Sequence, residues 1–121
     1  SLDPNADYLI RCDRVDFDLG SAAPPHGHRG GGIRWLTAGE LKVKQGDGEF
    51  HAMQVGDAWF EDGKTPVHAI ASESEHTAFI RVSILPREFQ GKSAIVYVNP
   101  QDANPSKPRT YTVYVDEPIE I

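Results

Sequence analysis

Five histidines are the side chains in this sequence best suited to chemistry near neutral pH: His26, His28, His51, His68 and His76. Two of them form the pair His26-Gly27-His28. On an extended strand, residues two apart point to one face, with their roots roughly 6.6 Å apart. Both imidazoles can then converge on one metal ion at about 2.0–2.1 Å per bond. In a polar loop the same pair would be two solvated side chains, and spacing alone leaves both readings open. His51, close after a hairpin turn, reads as a surface or edge-strand residue. His76, after Ser72-Glu73-Ser74-Glu75, reads as a loop histidine. No Gly-x-Ser-x-Gly elbow, Walker loop, dinucleotide fingerprint or His-Glu-x-x-His is present. The Gly30-Gly31-Gly32 run lacks the strand-to-helix setting of a phosphate loop.

The elements that would position these residues are strands. Helical periodicity is absent, whereas alternation at period two recurs. Val15-Asp16-Phe17-Asp18-Leu19 sets three apolar side chains against two carboxylates. Leu41-Lys42-Val43-Lys44 repeats the pattern before a Gly46-Asp47-Gly48 turn into residues 49–55. Further strands are expected over 33–37, 58–61, 67–71, 78–85, 94–98 and 110–115. About nine short strands, with 11 Gly and 9 Pro in 121 residues, predict an all-β barrel or sandwich. Residues 99–108, with three prolines, read as a loop that no ladder could absorb. The strand after it is expected to pair with a sheet edge, in its own subunit or a neighbour. Trp35 and Trp59 occupy apolar strand positions and read as packing residues.

Composition narrows the function classes. Hydrophobic residues at 39% and charged residues at 25% suit one folded domain. The net charge of −6, with Lys and Arg scattered, lacks the basic footprint of a nucleic-acid or anionic-membrane binder. No apolar run is long enough to span a bilayer. Cys12, the sole cysteine, cannot close an intrachain disulfide and is expected as a small buried core thiol. The N-terminus Ser1-Leu2-Asp3-Pro4-Asn5 starts without Met and shows no targeting pattern. The expectation is a soluble protein, cytoplasmic or exported after loss of an N-terminal segment.

The stretch from Pro25 through His26-Gly27-His28-Arg29-Gly30-Gly31-Gly32 to Gly39-Glu40-Leu41 resembles the first sequence motif of the cupin superfamily. Val55-Gly56-Asp57-Ala58-Trp59-Phe60 resembles the opening of the second motif, and Thr65-Pro66-Val67-His68 its end. The resemblance implies an all-β, cupin-type antiparallel barrel (double-stranded β-helix or jelly roll). A core over about residues 15–85 would be followed by a C-terminal β extension over about 94–116, all within one domain of residues 1–121. It also implies that His26, His28 and His68 ligate one divalent transition metal, iron preferred over zinc, nickel, manganese or copper. Gly32 stands where the family usually has a Glu, Asp62-Gly63-Lys64-Thr65 replaces Pro-x-Gly with one extra residue, and Ser72 replaces a trailing Asn. Three neutral imidazoles would leave the metal its full 2+ charge and open positions.

If Gly32 faces inward, alternation turns Arg34 and Leu36 inward too. Arg34 then reads either as a clamp for a substrate carboxylate or as a mouth residue paired with one of the acidic side chains. Arg81 reads as solvent-facing, with the cavity side as the alternative. The expected function is a metal-dependent cupin, of iron dioxygenase type, acting on a small anionic organic molecule. The alternatives are a non-catalytic metal or small-ligand binding cupin and a metal-dependent isomerase or lyase. A homodimer is expected through residues 94–98 or 110–115, because so small a chain buries every apolar face poorly.

Overall fold

A computed structural model of the chain describes residues 2–103 and 109–121. Ten strands follow one another: β1 (Tyr8–Phe17), β2 (Ala22–His28), β3 (Gly32–Ala38), β4 (Leu41–Gln45), β5 (His51–Met53), β6 (Ala58–Glu61), β7 (Val67–Ala71), β8 (Thr77–Pro86), β9 (Ile95–Tyr97) and β10 (Arg109–Ile119). Two single-turn 3-10 helices, Arg87–Phe89 and Pro100–Asp102, flank β9. The strands form two antiparallel sheets, ordered β10-β1-β8-β3-β6 and β5-β4-β7-β2-β9. No helix among the described residues is long and apolar enough to cross a membrane.

The short alternating segments become strands because each has one apolar face to bury. On β4, Leu41 and Val43 are buried while Lys42 is exposed; on β7, Val67, Ala69 and Ala71 face inward. Together with Val15, Phe17, Ala23, Leu36, Trp59 and Phe79 they form the main core between the sheets. Gly39 turns β3 into β4 at φ +73°, a backbone state that side-chain-bearing residues rarely adopt. A Cβ there would also meet the His76 carbonyl at 2.5 Å.

Several expectations change. The strand ending at Phe17 begins at Tyr8, and Leu19 lies beyond it, 60% exposed. The segment Ala22–His28 is a strand despite Pro24 and Pro25, which sit at a register shift where β7 asks for no donors. Cys12 falls on the outward phase of β1 and is half-buried rather than a core thiol. Trp59 packs in the core as expected, but Trp35 is 57% exposed on the outer face of β3. The predicted loop over 99–108 contains the Pro100–Asp102 turn, and its residues 104–108 lie outside the described residues. The C-terminal strand pairs with β1 of its own chain, from Tyr8↔Ile119 to Phe17↔Arg109.

Candidate metal centre

The inner face of the first sheet carries its polar side chains in rows set by strand register. One row runs Glu61 (β6), Gly32 (β3), Ser83 (β8), Arg11 (β1) and Asp116 (β10). The next runs Trp59, Arg34, Arg81, Asp13 and Val113. Facing them across the barrel, β2 presents His26, buried at 6% exposure, and His28, whose side chain is 8% exposed. Donor atoms of His26, His28 and Glu61 all lie within 4.8 Å of one another. This is the one such group of three or more metal-capable side chains among the described residues.

Each member is held by a second contact. His26 Nδ1 lies 2.6 Å from the Pro24 carbonyl, which can only accept, so that nitrogen carries the proton and Nε2 keeps its lone pair. Trp59 Nε1 donates to Glu61 Oε2 at 2.8 Å, and Arg34 Nη2 approaches Glu61 Oε1 at 3.3 Å. Burial lowers the pKa of His26, more than offsetting the Pro24 contact and the charge of Glu61. Burial, with the nearby Arg34 and Arg81 charges, pushes His28 down to about 2. Both rings are therefore neutral, and the 3.7 Å approach of His28 Nε2 to Glu61 Oε1 is a contact between a neutral ring and a carboxylate. Two neutral imidazoles and one carboxylate fit a divalent metal, and iron(II) oxygen chemistry favours this donor set with positions left open.

The carboxylate comes from a strand the motif did not indicate. Gly32 pairs directly with Glu61, so Glu61 returns an acidic group to the place where Gly32 removes one. A side chain at Gly32 is excluded, since its Cβ would meet Ser83 Oγ and the Val82 carbonyl at 2.6 Å. Arg34 offsets the recovered charge, so the metal would still see little net negative charge from the protein.

His68 lies elsewhere. Val67 pairs with His26 and points inward, which turns His68 one residue on to the other face of β7, where its ring lies 5.4 Å from that of Phe50. Arg34 points inward as alternation predicts, 1% exposed, and of its two readings the structure holds the paired one. Its Nη1 donates to the Gly32 carbonyl at 2.9 Å, so both terminal nitrogens have partners inside the barrel. Burial lowers the Arg34 pKa to about 10, with Glu61 opposing that shift, so the guanidinium stays charged. Arg81 is a correction: it faces the interior, bound to Asp13 through Nε at 2.7 Å and Nη2 at 3.0 Å. His51 is exposed on β5 as expected, and exposed His76 contacts Asp16 at 2.7 Å.

A cavity of about 360 Å³ opens beside the cluster, lined by His28, Arg81, Ser83, Leu85, Ile95 and Tyr111 among others. Its size suits a small organic ligand.

Solved structures of other proteins share this arrangement of strands. The chain matches the DMSP lyase DddQ from Ruegeria pomeroyi DSS-3 at TM-score 0.63 and 20% identity, over 76% of this chain and 44% of that one. It matches KdgF from a Halomonas species at TM-score 0.51 and 28% identity, over 65% and 70% of the two chains. An RmlC-like cupin from Shewanella frigidimarina NCIMB 400 matches at 0.57 and 19%, over 73% and 91%. The fold is therefore the double-stranded β-helix of the cupins, in its single-barrel form. The chain spans less than half the length of the DMSP lyase it matches. No protein-family model matches the sequence, and no curated protein does.

Proposed function

We propose that this cupin binds one divalent metal, iron(II) for preference, through His26, His28 and Glu61, and oxidises a small anionic organic molecule with O₂. The observation that carries this reading is the third donor, a carboxylate held between Trp59 and Arg34 beside two neutral imidazoles. A metal bound there would supply Lewis acidity and, as iron, a place for O₂ beside the substrate. The chain's own residues do the remaining work. The Pro24 carbonyl fixes the His26 tautomer, and Trp59 fixes the Glu61 carboxylate. The open side of the cavity would admit a ligand next to His28.

Metal content and oxygen uptake test this. His26→Ala and Glu61→Ala should each lower metal occupancy by about 10- to 100-fold or more, while His68→Ala leaves it unchanged. Oxygen uptake by the iron(II) form should respond to small carboxylates and disappear in His26→Ala. Uptake no greater than that of free iron would favour a non-catalytic or lyase cupin. Metal loss in His68→Ala with retention in Glu61→Ala would overturn the ligand set.

We also propose a homodimer. Strands β9 and β10, the expected contact segments, are already paired within the chain. The first sheet instead exposes an apolar row across all five strands, Phe60, Ile33, Val82, Cys12 and Val115, adjacent in register. An apolar row without charge is self-complementary and suits a two-fold contact. The parent should sediment as a dimer at micromolar concentration and Phe60→Arg as a monomer. A monomeric parent would sink the proposal.

A further inference from the structure

Four arginines reach the barrel interior, and three of them meet a carboxylate. Arg11 pairs with Asp116 at 3.0 Å, Arg34 with Glu61 at 3.3 Å, and Arg81 with Asp13 at 2.7 Å. Arg109, at the start of β10, does not. It is 9% exposed and takes part in no ion pair among the described residues. Its Nη2 donates to the Tyr97 hydroxyl at 2.7 Å, and its Nε is the sole buried side-chain polar atom without a partner among the described residues. A guanidinium stays protonated in proteins, so Arg109 is a buried cation with no counter-ion among the described residues. Such a group costs several kcal/mol unless an anion reaches it.

The position of Arg109 says where that anion would sit. Arg109 lines the same interior recess as His26, His28, Glu61 and Tyr111, and Tyr97, which it holds, packs 6.2 Å from the His26 ring. The recess is small, about 20 Å³, and shares His28, Arg81, Ile95 and Tyr111 with the wall of the larger cavity. That cavity adds Leu85, Ala94 and Val113, apolar surface for the body of a ligand.

We infer that Arg109, and not Arg34, recognises the charged end of the ligand, and that the ligand is a small carboxylate with an apolar body. This deepens the metal-centre reading and rests on it for the ligand's other end. A carboxylate oxygen accepts a charge-assisted hydrogen bond from Arg109 Nε, a second donor beside Nη2 that Lys does not offer. Tyr97 holds the guanidinium in place and is a positioning residue.

The test uses the full chain, in parallel with added Co(II) and after chelation, titrated with benzoate and hexanoate and with benzamide and hexanamide as neutral controls. Calorimetry reads affinity and thermal unfolding reads Tm; Co(II) absorption reads the metal site separately. In the parent, the two carboxylates bind and raise Tm, while the amides do not. Arg109→Met weakens carboxylate binding by at least about tenfold, and its ligand-free Tm stays level or rises because an unpaired buried charge is gone. Arg109→Lys, which keeps the charge if methionine is not tolerated, weakens binding by a smaller factor, as does Tyr97→Phe. Parent-like carboxylate affinity in both Arg109 variants, or no carboxylate binding by the parent, overturns the proposal. A ligand-free Tm in Arg109→Met well below the parent's shows a structural role and overturns it as well. If the parent takes up no Co(II) but its carboxylate binding still depends on Arg109, the metal reading falls and the Arg109 site stands. Normal Co(II) binding with Arg109-independent carboxylate affinity leaves the metal centre standing and removes the Arg109 site.

Discussion

Leu36, Phe79 and Val15 form one inward row of the first sheet, and Arg34, Arg81 and Asp13 form the neighbouring row two residues along the same strands. The first row is packed apolar core; the second is charged and borders the cavity. Both rows lie on the same three strands, and every member but the half-buried Arg81 is buried. At the core end each fully buried aliphatic side chain stabilises by about 1.5–3 kcal/mol. At the cavity end, ion pairs taken out of water roughly break even with apolar groups of the same shape, or do worse. A barrel built for stability alone would continue the first pattern. That this one stops at Trp59 and Phe79 and fills the rest with arginines and carboxylates marks the cavity end as a part not built for stability alone.

The largest expected effect comes from breaking one charge pair on one side only. Asp13→Ala leaves Arg81 buried without its bidentate partner and should cost about 3–5 kcal/mol by urea unfolding. The double variant Asp13→Leu/Arg81→Met should recover most or all of that. If the double variant were as unstable as the single, the pair would be an ordinary source of stability and the contrast between the two ends would fail.

Next comes the core row itself. Leu36 is fully buried, and Leu36→Ala should cost about 2–5 kcal/mol by the same measurement, through lost transfer energy and a residual void. No partner substitution should rescue it by removing a charge. A loss below about 1 kcal/mol would mean that the core end is loosely packed.

Much of this arrangement is legible in the sequence. The His-x-His pair, the Gly-rich step and the alternation over residues 41–44 and 67–71 lead to the barrel and to two of the three clustered donors. The failures share a cause. The first sheet is apolar on its outer face, so Ile80, Val82 and Ile84 imitate a core stripe that would turn Arg81 outward, while Trp35 imitates a core residue. Likewise Arg11 and Asp13 sit at inward positions of β1 and hide its first half from any hydrophobic pattern. His68 follows the inward-pointing Val67 by one residue and so falls on the other face of β7, a phase that the motif does not reveal. Glu61 carries a faint signal: it follows Trp59 by two on an alternating strand, and Gly32 leaves a gap for a carboxylate. Only the pairing of Gly32 with Glu61 joins those two facts.

The smallest effect is a pH response of the metal-free protein over its first steps of acidification. Burial lowers the pKa of His26 and carries that of His28 to about 2, against an ordinary 6.5 in the unfolded chain. As pH falls through about 6.5, the unfolded state takes up protons that the native state refuses, so stability is complete above that pH and declines below it. The decline steepens toward roughly one proton per refusing imidazole and continues until the native rings themselves titrate. The apolar end has no titrating group and adds nothing to this slope. Unfolding by urea at pH 7.5, 6.5 and 5.5 should therefore show a small loss at the first step and a larger one at the second. Replacing both His26 and His28 by Gln should flatten the profile over this range. A slope that survives the double replacement would place the titrating groups outside the cavity, and the contrast between the two ends would lose its electrostatic half.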